Sequence, residues 1–171
     1  MNRRSVFLLA GAAALAACAP LASAPPLGAD GRAAPQVYRI TPANQNEIAF
    51  RLLDSVNTLR AARSLGPLSY DAALNAAAAT HARDISVQNR PWHFGSDGSS
   101  PLVRVQRAGY GGRLVGELIS ETFETELETL AAWMGQPDTR AVLMDASARN
   151  LGFSWWQESN GKIWWTLVTG A

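Results

Sequence analysis

Two histidines, a lone cysteine, a run of carboxylates and paired tryptophans are the side chains with most chemistry to offer in this 171-residue chain. His93 opens a stretch dense in Gly, Ser and Asp that contains Ser99 and Ser100. A hydroxyl near an imidazole suggests a nucleophile and its base. No strained Gly-x-Ser-x-Gly turn surrounds either serine, so serine catalysis is not expected. His81 shares an apolar stripe with Leu74, Ala77, Ala78 and Ile85 at helical spacing, which reads as a packed, hydrogen-bonded imidazole rather than a ligand. Glu121, Glu124, Glu126 and Glu128 read as a solvated face and helix start, where the helix dipole favours negative charge. Calcium would need a tighter, loop-borne set of oxygens. Trp155-Trp156 and Trp164-Trp165 could stack on a ligand; neighbours on a strand point to opposite faces, so one of each pair is expected in the core and the other partly exposed.

These side chains must be carried by elements, and the chain begins with a segment of another kind. Residues 1–17 place Arg3 and Arg4 before an apolar run from Val6 to Ala17, the layout of an export signal. Twelve apolar residues fall short of the ~20 that a helix needs to span a bilayer. Leu15-Ala16-Ala17-Cys18 resembles a bacterial lipobox, so Cys18 is the expected lipidation site and cannot serve in a disulfide within one chain. Arg3-Arg4 also suits twin-arginine export, although basic starts are common to all export signals. Residues 18–44 hold Pro20, Pro25, Pro26, Pro35 and Pro42 and read as a tether behind the anchor. Ala19 after Cys18 lacks the aspartate type of inner-membrane retention signal, so the expected destination is the periplasmic face of the outer membrane.

Residues 45–171 then read as one folded domain. Ile48, Leu52, Val56 and Leu59 predict an amphipathic helix ending near Gly66-Pro67, with Arg60 off its apolar stripe. Ser69 is the expected cap of a second helix, which Asn89-Arg90-Pro91 stops. Pro101 suits the first turn of a short helix through Ala108. Leu114 to Ser120 reads as a strand, and Leu127, Leu130, Ala131 and Met134 mark a further helix that Gln136-Pro137 breaks. Val142, Leu143 and Met144 suit another helical turn. Leu151 to Gln157 and Lys162 to Thr169 are aromatic and β-branched around Glu158-Ser159-Asn160-Gly161, a β-hairpin signature. Helices first and strands last, with short connections, predict an α+β domain with an antiparallel sheet. Net charge is +1, and losing Arg3 and Arg4 with the leader leaves the rest close to neutral, which argues against a nucleic-acid binder.

Four segments carry a resemblance to a known family. His93-Phe94-Gly95-Ser96-Asp97-Gly98-Ser99-Ser100-Pro101 is similar to a bacterial His-x-Gly-x-Asp-Gly-x-Ser-Pro loop and is followed by Arg104 and Ala108-Gly109-Tyr110. Gly116-Glu117-Leu118-Ile119 resembles Gly-Glu-Asn-Ile, and Trp133-Met134-Gly135-Gln136-Pro137-Asp138-Thr139-Arg140 resembles Trp-Met-x-Ser-Pro-Gly-His-Arg. Asn150-Leu151-Gly152-Phe153 and Ile163 to Val168 look like closing strands. Together they resemble the CAP superfamily of cysteine-rich secretory, antigen 5 and pathogenesis-related class 1 proteins, in its disulfide-free bacterial form. The resemblance implies a three-layer α-β-α sandwich and a cleft that collects two histidines and two acids. It places His93 and Glu117 at one histidine and one glutamate position, with Gln136 where many relatives carry Glu or Ser, Thr139 where they carry a histidine, and Leu118 in place of asparagine.

An imidazole beside a carboxylate can be held in one tautomer, exchange protons near neutral pH or ligate a divalent metal. On its own, His93 could instead pin its loop through hydrogen bonds. With the other two cleft positions replaced, no cofactor and no tight metal site are expected, a weak divalent ion at His93 and Glu117 being the most that remains. The expectation is a lipid-anchored envelope protein in which His93, Glu117, Gln136 and Thr139 line a noncatalytic binding cleft for a cell-wall, lipid or peptide ligand. A hydrolase with His93 and Glu117 as acid–base pair, and a scaffold with a vestigial cleft, are the alternatives.

Overall fold

The computed structural model describes residues 37–171, which form one compact unit; the leader, Cys18 and most of the proline-rich segment lie outside the described residues. Helix α1 (Gln45–Ala61) presents Ile48, Leu52 and Val56 to the core, all fully buried. It stops short of Gly66-Pro67, at Ala61 with Ala62 as cap. Ser69 does not cap the next helix. It belongs to the two-residue strand β1 (Ser69–Tyr70), and Asp71 is the cap of α2 (Ala72–Gln88), accepting from the Leu74 amide at 2.9 Å. An aspartate in extended conformation directly before the first turn out-competes a serine placed further upstream. Ser100 caps α3 (Pro101–Arg107), which has its proline in the first turn as expected.

Strand β2 (Leu114–Thr122) leads to α4 (Glu126–Gly135), whose start is a reciprocal capping box between Thr125 and Glu128. Pro137 ends that helix and opens α5 (Pro137–Leu143), after which β3 (Asn150–Gln157) and β4 (Ile163–Gly170) form the hairpin. The sheet order is β1-β3-β4-β2, antiparallel except for the short parallel pairing of β1 with β3.

Strand β4 sits inside the sheet with helices on both faces, and every one of its residues is buried. Trp164 and Trp165 are therefore both in the core, against the expectation of one per pair; only on β3 does the alternation leave Trp156 exposed. One face of the sheet packs Leu118, Leu151, Phe153, Trp165 and Leu167 on residues of α1, α4 and α5. The other packs Val168 on Leu74, Ala77 and Ala78 of α2 and Val105 of α3. This is an α-β-α sandwich, and its two faces divide the site residues between them. Gly152 lets α2 lie directly on β3, since a Cβ there would come within 2.2 Å of the backbone at Leu74 and Asn75.

Four side chains behave differently from their sequence reading. Glu126 is buried rather than solvated, accepting from the Tyr38 hydroxyl at 2.7 Å and from Arg51 Nε at 2.9 Å. Tyr38 and Ile40 dock on the core, and Gln157 bonds the backbone of both, so these residues pack with the unit Val37–Ala171. Arg60 is fully buried and donates to the carbonyls of Gly66, Leu143, Asp145 and Ala148. Burial lowers its pKa, and the four carbonyls supply the partners that a desolvated guanidinium requires.

Candidate functional site

Glu117 is the centre of the site, and strand alternation decides which way it points. It lies opposite Val168 in the β2–β4 register, so its side chain faces α2 and α3. Arg104, on the inward side of α3 and only 5% exposed, approaches with Nη2 at 2.9 and 2.8 Å from the two carboxylate oxygens. His93 Nδ1 donates to Oε1 at 3.0 Å. His81, fully buried on α2, places Nε2 3.5 Å from the same oxygen. Both oxygens are thus occupied by an ion pair under cover of the protein, a charge-assisted arrangement stronger than a neutral hydrogen bond.

The loop that carries His93 is fastened at many points. Asp84 accepts from the amide and hydroxyl of Ser96 at 2.8 and 2.6 Å. Gly95 N donates to Ser99 O at 2.8 Å, closing the turn, and Asp97 accepts from the Ser99 amide at 2.9 Å. Hydrogen bonds from Ser99 hold the Asp97 carboxyl well below the usual range, with Arg107 assisting. Arg104 reaches past Glu117 to the carbonyls of Ser99 and His93 at 2.8 and 2.9 Å, so one guanidinium fixes both loop and acid. His81 Nε2 bonds Trp92 O at 2.9 Å and therefore carries the proton there.

These bonds set the tautomer and reach of His93. With Nδ1–H directed at the carboxylate, Nε2 is left as the other ring nitrogen of a side chain that is 51% exposed. Burial lowers the pKa of His81 below the ordinary histidine value, the Glu117 charge opposing it only in part. Its Nδ1 is buried without a hydrogen-bond partner, which suits the neutral ring. Beyond the Arg104 side chain, α2, α3 and the loop enclose a recess of about 450 Å³ lined by Thr80, Asp84, Ser96, Asp97 and Arg107.

Of the expected site residues, His93 and Glu117 converge. Gln136 and Thr139 make no hydrogen bond to either. Thr139 Oγ1 donates to Trp133 O at 2.5 Å and faces Gln136 O at 3.4 Å, tying α4 to α5. Helix α5 belongs to the opposite layer, since Val142 abuts Gly116, whose position on β2 faces away from that of Glu117. His81 is packed as expected, but it packs against the acid. The sequence reading gave Arg104 no role; the available signal was that a carboxylate drawn into the core needs a cation, and Arg104 is spaced to point inward beneath the loop. A zinc ion does not fit this set, because the guanidinium holds the carboxylate face a cation would need. Among the described residues, no group of three or more His, Cys, Asp or Glu side chains is arranged to hold a metal.

The model of the CAP family, cysteine-rich secretory proteins, matches residues 53–169. No curated protein matches the chain. An outer surface protein of Borrelia burgdorferi superimposes with a TM-score of 0.69 at 18% identity, covering 79% of this chain and 98% of its own. An extracellular SCP-domain protein of Bacillus anthracis gives 0.67 at 21% identity, over 78% of this chain and 45% of that one. A cysteine-rich secretory protein of Staphylococcus aureus gives 0.61 at 13%, over 84% and 44%. At these identities the likeness is one of fold.

Proposed function

The chain belongs to the CAP family of cysteine-rich secretory proteins, and on that premise we propose that it is an exported, lipid-anchored envelope protein whose domain acts as a noncatalytic binding module. Its ligand, a cell-wall, lipid or peptide component, is recognised at the surface around His93, with Glu117 buried behind it. Export is supported by the residue 1–17 leader, by the secretory family and by neighbours described as outer-surface or extracellular proteins. The anchor is Cys18 and the destination the periplasmic face of the outer membrane. Gln136 and Thr139 are left out of the binding surface, since Thr139 is engaged with Trp133 in the other layer.

One observation carries the choice of binding over catalysis: both Glu117 oxygens are held by Arg104. A carboxylate clamped in this way orients His93 but, with its side chain only 2% exposed, is covered from a substrate. Proton transfer through it would require breaking a buried ion pair. A hydrolase is the second reading, favoured by the His93 ring itself, whose Nδ1 is held by an acid while Nε2 is free to move a proton.

One experiment separates them. The purified chain is incubated with isolated peptidoglycan sacculi, with bound protein and released fragments both measured. Binding without fragment release, weakened roughly tenfold in His93→Ala, is the expected result, about 1.4 kcal/mol for the loss of an exposed hydrogen-bonding ring. Fragment release that disappears in His93→Ala would establish the hydrolase instead. Capture unchanged in His93→Ala removes the site from either reading.

A further inference from the structure

The last two turns of α2 carry a surface that the His93 site does not use. Arg83 and Val87 lie one turn apart on the outer side of the helix, and Val87 is 78% exposed. The Arg83 guanidinium stands 5.1 Å over the ring of Trp156, which is itself 41% exposed on β3. Asn89 turns the chain in the left-handed region, and Arg90 then lies 3.8 Å over the ring of Trp92. Trp92 folds back on the helix through its Nε1 bond to Gln88 and meets exposed Phe94 with ring centroids 5.6 Å apart. Two cations, three aromatic rings and an aliphatic side chain thus gather around one helix end.

Among the described residues neither Arg83 nor Arg90 forms a salt bridge. The neighbouring acids are engaged elsewhere: Asp84 holds Ser96 and Gln88, while Glu121 and Glu158 take Lys162. Of the other exposed apolar side chains, Phe50, Phe123 and Leu127 stand in sequence beside Glu47, Glu124 and Glu128, while Val37 and Leu102 stand near Arg39 and Arg104, and the groove between α1 and α4 includes Asp54. At the α2 end, guanidinium groups stand over indole rings beside exposed apolar side chains.

We infer that this patch docks the domain on an anionic phospholipid surface. Indole and guanidinium groups suit the bilayer interface, where the ring enters the headgroup layer and the cation meets phosphate. Val87 and Phe94 supply apolar area that no polar recognition would require. A sugar would want free hydrogen-bonding side chains beside the rings, and Gln88, the polar side chain against Trp92, is already shared among Trp92, Asp84 and Phe94 O. The reading is independent of ligand binding at His93.

The test uses the full chain with Cys18→Ser, so that no acyl chain contributes, in flotation with vesicles of phosphatidylcholine alone or with phosphatidylglycerol added. The parent is expected to prefer the anionic vesicles, and Arg83→Glu with Arg90→Glu to lower partitioning tenfold or more, at about 1 kcal/mol per basic residue near such a surface. Val87→Asp with Phe94→Ser should lose a comparable factor, while Phe123→Ser with Leu127→Ser partitions like the parent. Brominated lipid should quench tryptophan fluorescence in the parent and less in Trp92→Phe with Trp156→Phe. Equal partitioning of parent and charge-reversed chain at an unchanged melting midpoint, or no preference for phosphatidylglycerol, overturns the inference; so does competition by a soluble carboxylated glycan with no effect of the lipid.

Discussion

Glu117 is tied to three basic side chains that differ in burial. Arg104 is buried beside it, His93 is half exposed, and His81 is buried with its pKa lowered by burial. The buried ring gives the fold a pH dependence. Because His81 binds its proton less readily folded than unfolded, its contribution to stability is complete above the unfolded value of about 6.5. It is lost as pH falls through that value toward the folded one, since the unfolded chain then takes up the extra proton. The urea midpoint should therefore drop between pH 7 and about 5 in the parent, and this slope should flatten in His81→Gln, which keeps a donor for Trp92 O. Asp84 and Asp145, whose pKa values are lowered by hydrogen bonds despite opposing burial in each, act in a separate window below about pH 4.

At the scale of elements, the site depends on how closely α2 lies on the sheet. His81 reaches Glu117 because the helix backbone rests against β3 at Gly152, where no Cβ can be accommodated. Gly152→Ala should separate α2 from β3, and the neighbour is backbone, which cannot rotate away. A loss of about 3 kcal/mol or more is expected from such overpacking. A fall of the melting midpoint would be accompanied by weakened protection of α2 amides in hydrogen exchange. Gly66→Ala, where a Cβ meets nothing within 4 Å, serves as the benign comparison.

Across the whole molecule, long-range polar clamps join segments that the two apolar faces leave unconnected. Arg60 ties the end of α1 to the stretch after it and to the link between α5 and β3. Arg51 and Tyr38 converge on Glu126, binding the 37–40 segment and α1 to α4. Arg60→Ala leaves several buried carbonyls without donors, and a loss of about 3–5 kcal/mol in equilibrium urea unfolding is expected. Arg63→Ala, an exposed neighbour donating only to Leu59 O, should change the midpoint little.

The local elements were legible because their signals are local. Proline at the first turn of α3, the break at Pro137, and the Asn160-Gly161 turn between β-rich runs act within a few residues, so sequence alone determined these elements and the α+β class. The family resemblance further identified His93 and Glu117, and the fold brings them to 3.0 Å. Tertiary structure decided what depends on which faces are covered. Burial of β4 on both sides placed both its tryptophans in the core, and Arg60 and Glu126 joined the interior because distant carbonyls and a distant cation awaited them. Arg104 likewise became the partner of Glu117 only when α3 packed over β2. A charged side chain is buried or solvated according to its neighbours in space, and one-dimensional spacing carries no record of them.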